Sequence, residues 1–297
     1  MFRRQNAGLG IDLQSGSSRR RGRRERPAGK AGASSDTLLE DLRWALERDE
    51  LRLHWQTIVE LDSGSVVGAE ALLRWMHPQR GMVLPDDFVP LACETGLIVP
   101  IGEWVIERVC SQLERWAHDS VLPRGFVASI NVSAPEIEAG GVAHALERAL
   151  VRTGRPASDV CLEVTERQLV QDTGPVVAAV EAVSAVGAHL ALDDFGIGHS
   201  SLAVLKRLPV DSVKIDRSFV AGLDAHGGRD AAIVGGVVGL AHGLGLSVTA
   251  EGVETEAQCR HTAELGCDQA QGFYFARPQP AEAMTDVLAQ LVAEESG

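Results

Sequence analysis

Short apolar runs that alternate with amphipathic helical stretches constrain the fold of this chain more than any other feature. Beyond residue 125 the apolar runs lie at 126–132, 160–164, 189–192, 212–215, 247–250 and 270–275. The helical stretches lie near 100–117, 141–153, 174–187, 201–207, 228–244, 254–265 and 280–294. Strands that alternate with helices of this length are typical of parallel sheets joined by crossover helices.

Two further strand patterns precede this alternation. LRLHWQTIVE, at 51–60, and SVVGAEALLRW, at 65–75, are separated by the turn residues Asp62, Ser63 and Gly64. A separation this short predicts a β-hairpin. With the hairpin the chain has about eight strands. We therefore predict an α/β fold, a (β/α)8 TIM-like barrel with an irregular start, because strands one and two are antiparallel.

The charge is unevenly distributed along the chain. Residues 1–36 hold nine Lys and Arg against three acids, whereas the remaining residues hold 19 Lys and Arg against 38 acids. The first segment is rich in Gly, Ser and Ala without apolar periodicity, which predicts a disordered basic tail of unknown role. Asp36 is then the predicted cap of a helix over 37–49, at the start of a domain spanning 37–297. The acidic body argues against specific nucleic-acid binding.

The cysteines and one uncharged stretch bear on where in the cell the protein works. The five cysteines include no C-x-x-C spacing, so we predict free thiols and a cytoplasmic protein. No signal peptide is visible. Residues 231–250 lack formal charge and carry a glycine every four residues, a pattern found in transmembrane helices and in closely packed helices. His242, Ser247 and Thr249 favour a packed helix followed by a strand, without a membrane span.

Polar side chains follow nearly every predicted strand. Since the carboxyl ends of barrel strands meet at one face, these side chains are expected to converge there. Lys214 is the one cation among them, and it cannot balance so many carboxylates. The set comprises Glu70, Asn131, Glu163, Glu166, Asp193, Asp194, Lys214, Asp216, Glu251 and Gln271.

One or two divalent cations are the natural compensation for this charge. Carboxylate and amide oxygens favour Mg²⁺, Mn²⁺ or Ca²⁺ over Zn²⁺. Adjacent aspartates such as Asp193 and Asp194 suit a two-metal site, and such sites serve in-line hydrolysis of phosphodiesters. Any one acid, taken alone, is more typical of a helix cap or a surface salt bridge. Their recurrence at strand after strand favours a metal-dependent hydrolase.

The ordered motifs are more specific than this pattern. From about residue 40 to 294 the chain resembles the EAL domain family of cyclic di-GMP phosphodiesterases. The matching motifs are EALLRWMHP (70–78), FVPLACETGLI (88–98), IGEWVIERVC (101–110), NVS (131–133), LEVTE (162–166), LDDFGIGHSSLAVLKRLPVDSVKIDRSFV (192–220), AEGVET (250–255) and LGCDQAQGFYFARP (265–278).

This resemblance implies a barrel fold and hydrolysis of cyclic di-GMP to linear pGpG by two Mg²⁺ or Mn²⁺ ions, with Ca²⁺ inhibitory. It also implies a homodimer. The implied metal ligands are Glu70, Asn131, Glu163, Asp193 and Asp194. The implied catalytic residues are Glu251 as general base or partner of the metal-held water, Lys214 as holder of the attacking water, and Glu166 as support of the loop after Asp194. The implied substrate contacts are Gln56, Arg74, Asp216, Glu254 and Gln271.

The chain also departs from the family pattern. Ile197 and His199 replace a usual Thr and a usual aromatic in the loop after Asp194, which bears on turnover and dimerisation. Other departures are Trp55, Thr57, Cys93 and Glu136. The alternative hypothesis is therefore a catalytically silent EAL-like receptor for cyclic di-GMP, or a protein-interaction module. We expect no room in 297 residues for a separate sensor or cyclase domain.

Overall fold

The computed structural model describes residues 31–165, 174–197, 205, 208–224 and 228–295. Ten strands lie within these ranges. They are β1 Leu51–Glu60, β2 Val66–His77, β3 Gly81–Val83, β4 Val127–Asn131, β5 Val160–Thr165, β6 His189–Phe195, β7 Ser212–Ile215, β8 Ser247–Ala250, β9 Gln269–Ala270 and β10 Gln279–Pro280.

Helices separate most of these strands, as the alternation predicts. They are α1 Ala31–Ala45, α2 Pro85–Thr95, α3 Ile98–His118, α4 Ala134–Ala139, α5 Val142–Thr153, α6 Gly174–Val186, α7 Arg217–Ala221, α8 Arg229–Gly243, α9 Glu256–Glu264 and α10 Ala281–Glu295. Short 3-10 turns lie at Ala157–Asp159 and Gly222–Asp224.

Strand pairing closes the sheet into a barrel. The β1–β2 hairpin is antiparallel, with Gln56 opposite Glu70. From β2 the order continues in parallel through β4, β5, β6, β7, β8 and β9, and β9 pairs antiparallel with β1. The short strands β3 and β10 extend the sheet beside β2 and β1. The predicted TIM-like barrel with an antiparallel first hairpin is confirmed.

The alternation of side chains along each strand separates the interior of the barrel from its helix-covered surface. In β5, Leu162 is 1% exposed among core side chains, and the next residue, Glu163, points to the other face. Trp55 of β1 lies in the core with its ring edge-on to Trp116 at a centroid distance of 4.8 Å. The departure at Trp55 therefore concerns core packing, and the neighbouring Gln56 carries the site contacts.

Two predicted boundaries are wrong. Helix α1 begins at Ala31, so Asp36 lies within the helix and does not cap it. The preceding alanine and serine residues allow helix, so nothing stops it at residue 36. Strand β9 ends at Ala270, and residues 273–275 form turns, because Gly272 packs against the backbone of Val253 and diverts the chain. Residues 1–30 and most of the predicted helix 201–207 lie outside the described residues.

The uncharged stretch at 231–250 forms most of helix α8 and then strand β8. Within the described ranges no helix is both long and apolar enough to cross a membrane. The predicted order of a helix followed by a strand is confirmed. The five cysteines are free thiols.

Candidate active site

The carboxyl ends of the strands bring the predicted site residues to one mouth of the barrel. Glu70, Glu163 and Lys214 lie inside their strands on the inward face, and Asn131 is the last residue of β4. The parallel register places Asn131 beside Glu163. Residues that are far apart in the sequence therefore share one small volume.

Lys214 lies at the centre of this cluster and is 3% exposed in its side chain. Its Nζ is 2.6 Å from a carboxylate oxygen of Glu251 and 2.7 Å from one of Glu163. A Glu70 oxygen is 3.7 Å away. One cation thus contacts three acids of the site. This agrees with the sequence pattern, in which Lys214 is the one cation among the converging carboxylates.

The charge state of Lys214 follows from these neighbours. Burial lowers the pKa of Lys214, but the carboxylates of Asp193, Glu163, Glu251 and Glu70 outweigh it and raise the pKa well above its usual value. The ammonium group is therefore permanently charged. A fixed cation in a water-poor site stabilises negative charge far better than it would in water.

Glu70 is held by donors on both sides. Asn131 Nδ2 donates to its Oε1 at 2.5 Å, and Gln271 Nε2 donates to its Oε2 at 2.6 Å. Burial raises the pKa of Glu70, but Lys214, the two amide donors and Arg74 together lower it below the ordinary value. Glu70 is therefore an ionised, oriented carboxylate.

Gln271 links the hairpin to the last strand. Its Nε2 also lies 3.1 Å from Gln56 Oε1, and Gln56 Nε2 donates to the Ala276 carbonyl at 3.0 Å. Gln271 is 4% exposed, yet its Oε1 has no hydrogen-bond partner among the described residues. A buried acceptor left open at the mouth of a site is available to a donor from a ligand or water.

Asp193, Asp194 and Glu251 are close enough together to hold a metal ion, with one oxygen of each within 4.8 Å of the others. The Asp194 N–H donates to Asp193 Oδ1 at 2.8 Å, which orients that carboxylate. Asp194 itself has a left-handed backbone with φ of 54°. Asp tolerates this region better than most residues, and the bend separates the two carboxylates.

Two further carboxyl groups show that the site carries surplus negative charge. Burial, with the charges of Asp193 and Glu70, raises the pKa of Glu251 to about 8 despite Lys214. Burial and the same neighbours raise the pKa of Glu163 well above its usual value. Adding cations relieves such repulsion, and oxygen donors suit hard divalent ions. The residues present therefore fit a metal site.

The backbone after β8 depends on a glycine. Gly252 has φ of 67°, and a Cβ there would lie 2.4 Å from Cβ of Arg217. Gly252 therefore lets the chain turn beside α7 directly after Glu251, which keeps that carboxylate against Lys214. The motif AEGVET therefore requires glycine at this position, because its backbone is left-handed and leaves no room for a Cβ.

The remaining predicted contacts lie around the rim. Arg74 is 8% exposed, and burial lowers its pKa while the nearby Glu70 and Asp86 raise it. Asp86, in the first turn of α2, is a neighbour that the sequence analysis missed; its only signal was the helix start at Pro85. Asp216 caps α7 by accepting from the Ser218 N–H at 2.9 Å.

The remaining predicted positions, Glu254 and Glu166, have no side-chain contact described with the site. Glu254 is exposed in the loop before α9, and its N–H donates to Gln258 Oε1 at 2.7 Å. Glu166 and His199 lie outside the described residues. Ile197, before that gap, is 40% exposed.

The sequence of this chain is similar to those of known proteins. The profile of the EAL domain matches residues 39–278. The bifunctional diguanylate cyclase/cyclic di-GMP phosphodiesterase MucR of Pseudomonas aeruginosa is 46% identical over 245 residues, 82% of this chain and 35% of MucR. The cyclic di-GMP phosphodiesterase NbdA of the same organism is 39% identical over 249 residues, 84% of this chain and 31% of NbdA. The chain thus spans about a third of each relative.

A solved structure shares the fold over the same region. The PaMucR phosphodiesterase in complex with c-di-GMP has a TM-score of 0.79 and 45% identity, and the match covers 84% of this chain and 99% of that one.

Proposed function

The chain belongs to the EAL domain family, and on that premise we propose that it hydrolyses cyclic di-GMP to linear pGpG with the help of divalent metal ions. Two relatives carry names that include cyclic di-GMP phosphodiesterase, and a similar solved domain was obtained with c-di-GMP. The chain matches only about a third of the length of each relative, so their names alone do not assign the activity to this chain. The proposal is therefore argued from the chemistry of this chain's own residues.

One observation carries the proposal: a buried lysine stands among carboxylates that a single cation cannot neutralise. Lys214 contacts Glu70, Glu163 and Glu251, while Asp193 raises its pKa from close by. A purely structural ion pair has no need of so many acids. A site built to gather cations and to hold a negatively charged phosphodiester does.

The proton-transfer role belongs to Glu251. In the site without metal ions, burial and the charges of Asp193 and Glu70 raise its pKa to about 8. A carboxylate whose pKa lies above the usual value is a stronger base, which suits a group that takes a proton from water and later gives it up. Water attacks phosphorus, the bond to the 3′ oxygen breaks, and that oxygen leaves with a proton. Lys214, 2.6 Å from Glu251, orients the water and neutralises charge that develops on the phosphate.

Two Mg²⁺ or Mn²⁺ ions are the proposed cofactors, and Ca²⁺ is the proposed inhibitor. Bound ions would activate water and polarise the scissile phosphate. The proposed ligands are Glu70, Asn131, Glu163, Asp193 and Asp194, and Glu251 lies close enough to Asp193 and Asp194 to contribute.

The rim supplies the proposed substrate contacts. A buried guanidinium such as that of Arg74 pairs with a phosphate or a guanine edge through its fork of donors. The open Oε1 of Gln271 is an acceptor for the same ligand. Gln56, Asp216 and Glu254 complete the proposed set, and Glu166 stays a prediction.

We also propose that the protein forms a homodimer and works in the cytoplasm. The exposed Ile197, in the loop that the family uses for its dimer contact, supports the first proposal. Five free thiols, most of them buried, support the second, because such thiols persist in a reducing compartment.

The test is incubation of purified protein with cyclic di-GMP and Mg²⁺ or Mn²⁺, followed by chromatography. We expect a pGpG peak that EDTA abolishes and that Glu70→Gln lowers at least about 100-fold. Glu138→Gln, at an exposed helix position, is the matched control and should keep full activity. Saturable binding without product would favour the silent receptor, and neither product nor binding would reject both functions.

A further inference from the structure

The interior of the barrel beneath the site is lined by small and polar side chains. Along β5 and β7 the inward residues are Cys161 and Glu163, and Ser212 and Lys214, two apart on the same face. In most (β/α)8 barrels this space is filled by large branched side chains. Here the inward residues are too short to fill it.

A cavity of about 200 Å³ results. It begins at the amino-terminal mouth of the barrel, beside His189 and Asp211, and its inner end is formed by Glu163 and Lys214. Water takes up about 30 Å³ in the liquid, so the volume holds several molecules. The cavity thus approaches the catalytic cluster from the end opposite the substrate mouth.

The wall chemistry narrows the class of occupant. The charged wall groups already have partners: Lys214 Nζ donates to Glu163 at 2.7 Å, and Asp211 Oδ2 accepts from the Leu190 N–H at 2.8 Å. The rest of the polar wall is hydroxyl, amide and imidazole, from Ser129, Ser212, Ser247, Thr249, Gln269 and His189. The apolar part of the wall comes from Ile58, Val67, Val127 and Ala191. Paired charges, hydroxyl and amide groups and apolar side chains together favour an uncharged, hydrogen-bonding ligand.

We propose that this cavity is a second binding site, for water and small uncharged polar molecules, reached from the amino-terminal mouth of the barrel. Its occupant contacts Glu163 and Lys214 from below, while the substrate and its metal ions occupy the carboxyl-terminal mouth. The site stands on the geometry of the barrel interior and does not depend on the proposed hydrolysis.

Cys161 provides a built-in probe, because it lines the cavity and is 6% exposed. Methyl methanethiosulfonate is small and neutral; it forms a methyl disulfide with a thiol and releases methanesulfinate. Because the thiolate is the reactive form, and burial raises the pKa of Cys161 further than that of Cys110, each thiol is compared with its own rate in a variant. In a Cys93→Ser variant, which removes the half-buried thiol, we expect peptide mass spectrometry to show labelling of Cys161 in folded protein that leaves Cys110 unlabelled. Cys110 is 0% exposed in the core and is the internal control.

Charged thiosulfonates of either sign should label Cys161 at least 10-fold more slowly than the neutral reagent. Ser247→Met, at the amino-terminal mouth, should slow the neutral reagent at least fivefold and leave Cys110 unchanged. Ser212→Met, which narrows the same mouth from the neighbouring strand, provides a second variant if the first does not fold. Labelling of Cys161 that appears only when Cys110 is labelled too, or that is equally fast with the neutral and the charged reagents, would overturn the site. An unchanged Cys161 rate in both folded methionine variants would overturn its access route.

Discussion

The charge of Lys214 is shared among the carboxylates of the site. Among the described residues, Lys214 is the cation that contacts Glu70, Glu163 and Glu251 together, and Lys214→Met removes it. We expect hydrolysis to fall at least about 100-fold, since one preorganised charge of this kind is worth that much. Initial rates of pGpG formation measure it. Arg260→Gln, at an exposed cation, should keep the wild-type rate, and an unimpaired Lys214→Met would remove Lys214 from the proposed mechanism.

Glu136 gives the protein a pH-dependent stability. It is 6% exposed and accepts from the Ser133 N–H at 2.8 Å. Burial raises its pKa from 4.5 to about 7, although the Ser133 bonds oppose the shift. The folded state then binds more protons than the unfolded state between these values, so the free energy of unfolding decreases as pH rises through this window.

Glu136→Gln removes that titration while keeping an acceptor for Ser133. At pH 8 we expect the variant to be more stable than wild type by on the order of 3 kcal/mol, and at pH 5 the two should be nearly equal. Urea unfolding at both pH values measures the difference. Glu138→Gln, an exposed neighbour, should show no such pH dependence. An equal gain at both pH values would contradict the assignment to Glu136.

Among structural elements, the turn after β8 is sensitive to a single added methyl group. Gly252→Ala forces a side chain into the left-handed region and against Arg217. We expect a loss of about 1–2 kcal/mol in unfolding free energy and a larger proportional loss of activity, because the adjacent Glu251 moves. Gly239→Ala in α8 is the control, because no described atom outside the local helix backbone lies within 4 Å of the added Cβ.

The control should be neutral or more stable by up to about 1 kcal/mol, since alanine is the better helix former. Thermal unfolding and pGpG formation are measured for both variants. If Gly252→Ala and Gly239→Ala behaved alike, the close approach of Arg217 would have no consequence. Loss of stability with full activity would separate the turn from the position of Glu251.

At the scale of the whole molecule, metal binding should stabilise the folded state and should release protons from the site. Binding to the folded state alone stabilises it by about 2.7 kcal/mol at 100 times the dissociation constant, a rise in melting temperature of roughly 5–10 °C. Because the pKa values of Glu251 and Glu163 are raised, bound cations displace protons, so Mn²⁺ affinity should increase as pH rises towards 8.

Calorimetric titration of EDTA-treated protein in buffers of different ionisation enthalpy measures this proton release. Asp193→Asn should reduce both the melting shift and the release, whereas Asp62→Asn, at the exposed hairpin turn, should change neither. A melting temperature that is insensitive to Mn²⁺ would reject the proposed metal site.

Much of the fold was predictable because its signals are local. The period-two patterns of β1 and β2 and the turn between them depend on residues close in sequence, and the structure pairs them as expected. One boundary failed where distant residues decide: β9 ends at Ala270 because Gly272 meets the backbone of Val253. The other failed locally, since the residues before Asp36 also allow helix and α1 begins at Ala31.

The sequence by itself determined the barrel and its antiparallel start, and its ordered motifs selected the residues that are proposed for the site, because each motif carries its own residue types in order. Only the tertiary structure decided which of these side chains contact one another. Glu163 and Lys214 are 51 residues apart, and Glu70 and Gln271 are 201 apart, yet each pair is hydrogen-bonded. Their protonation states and the cavity beneath Lys214 follow from strand register and burial, which arise from packing between strands distant in sequence.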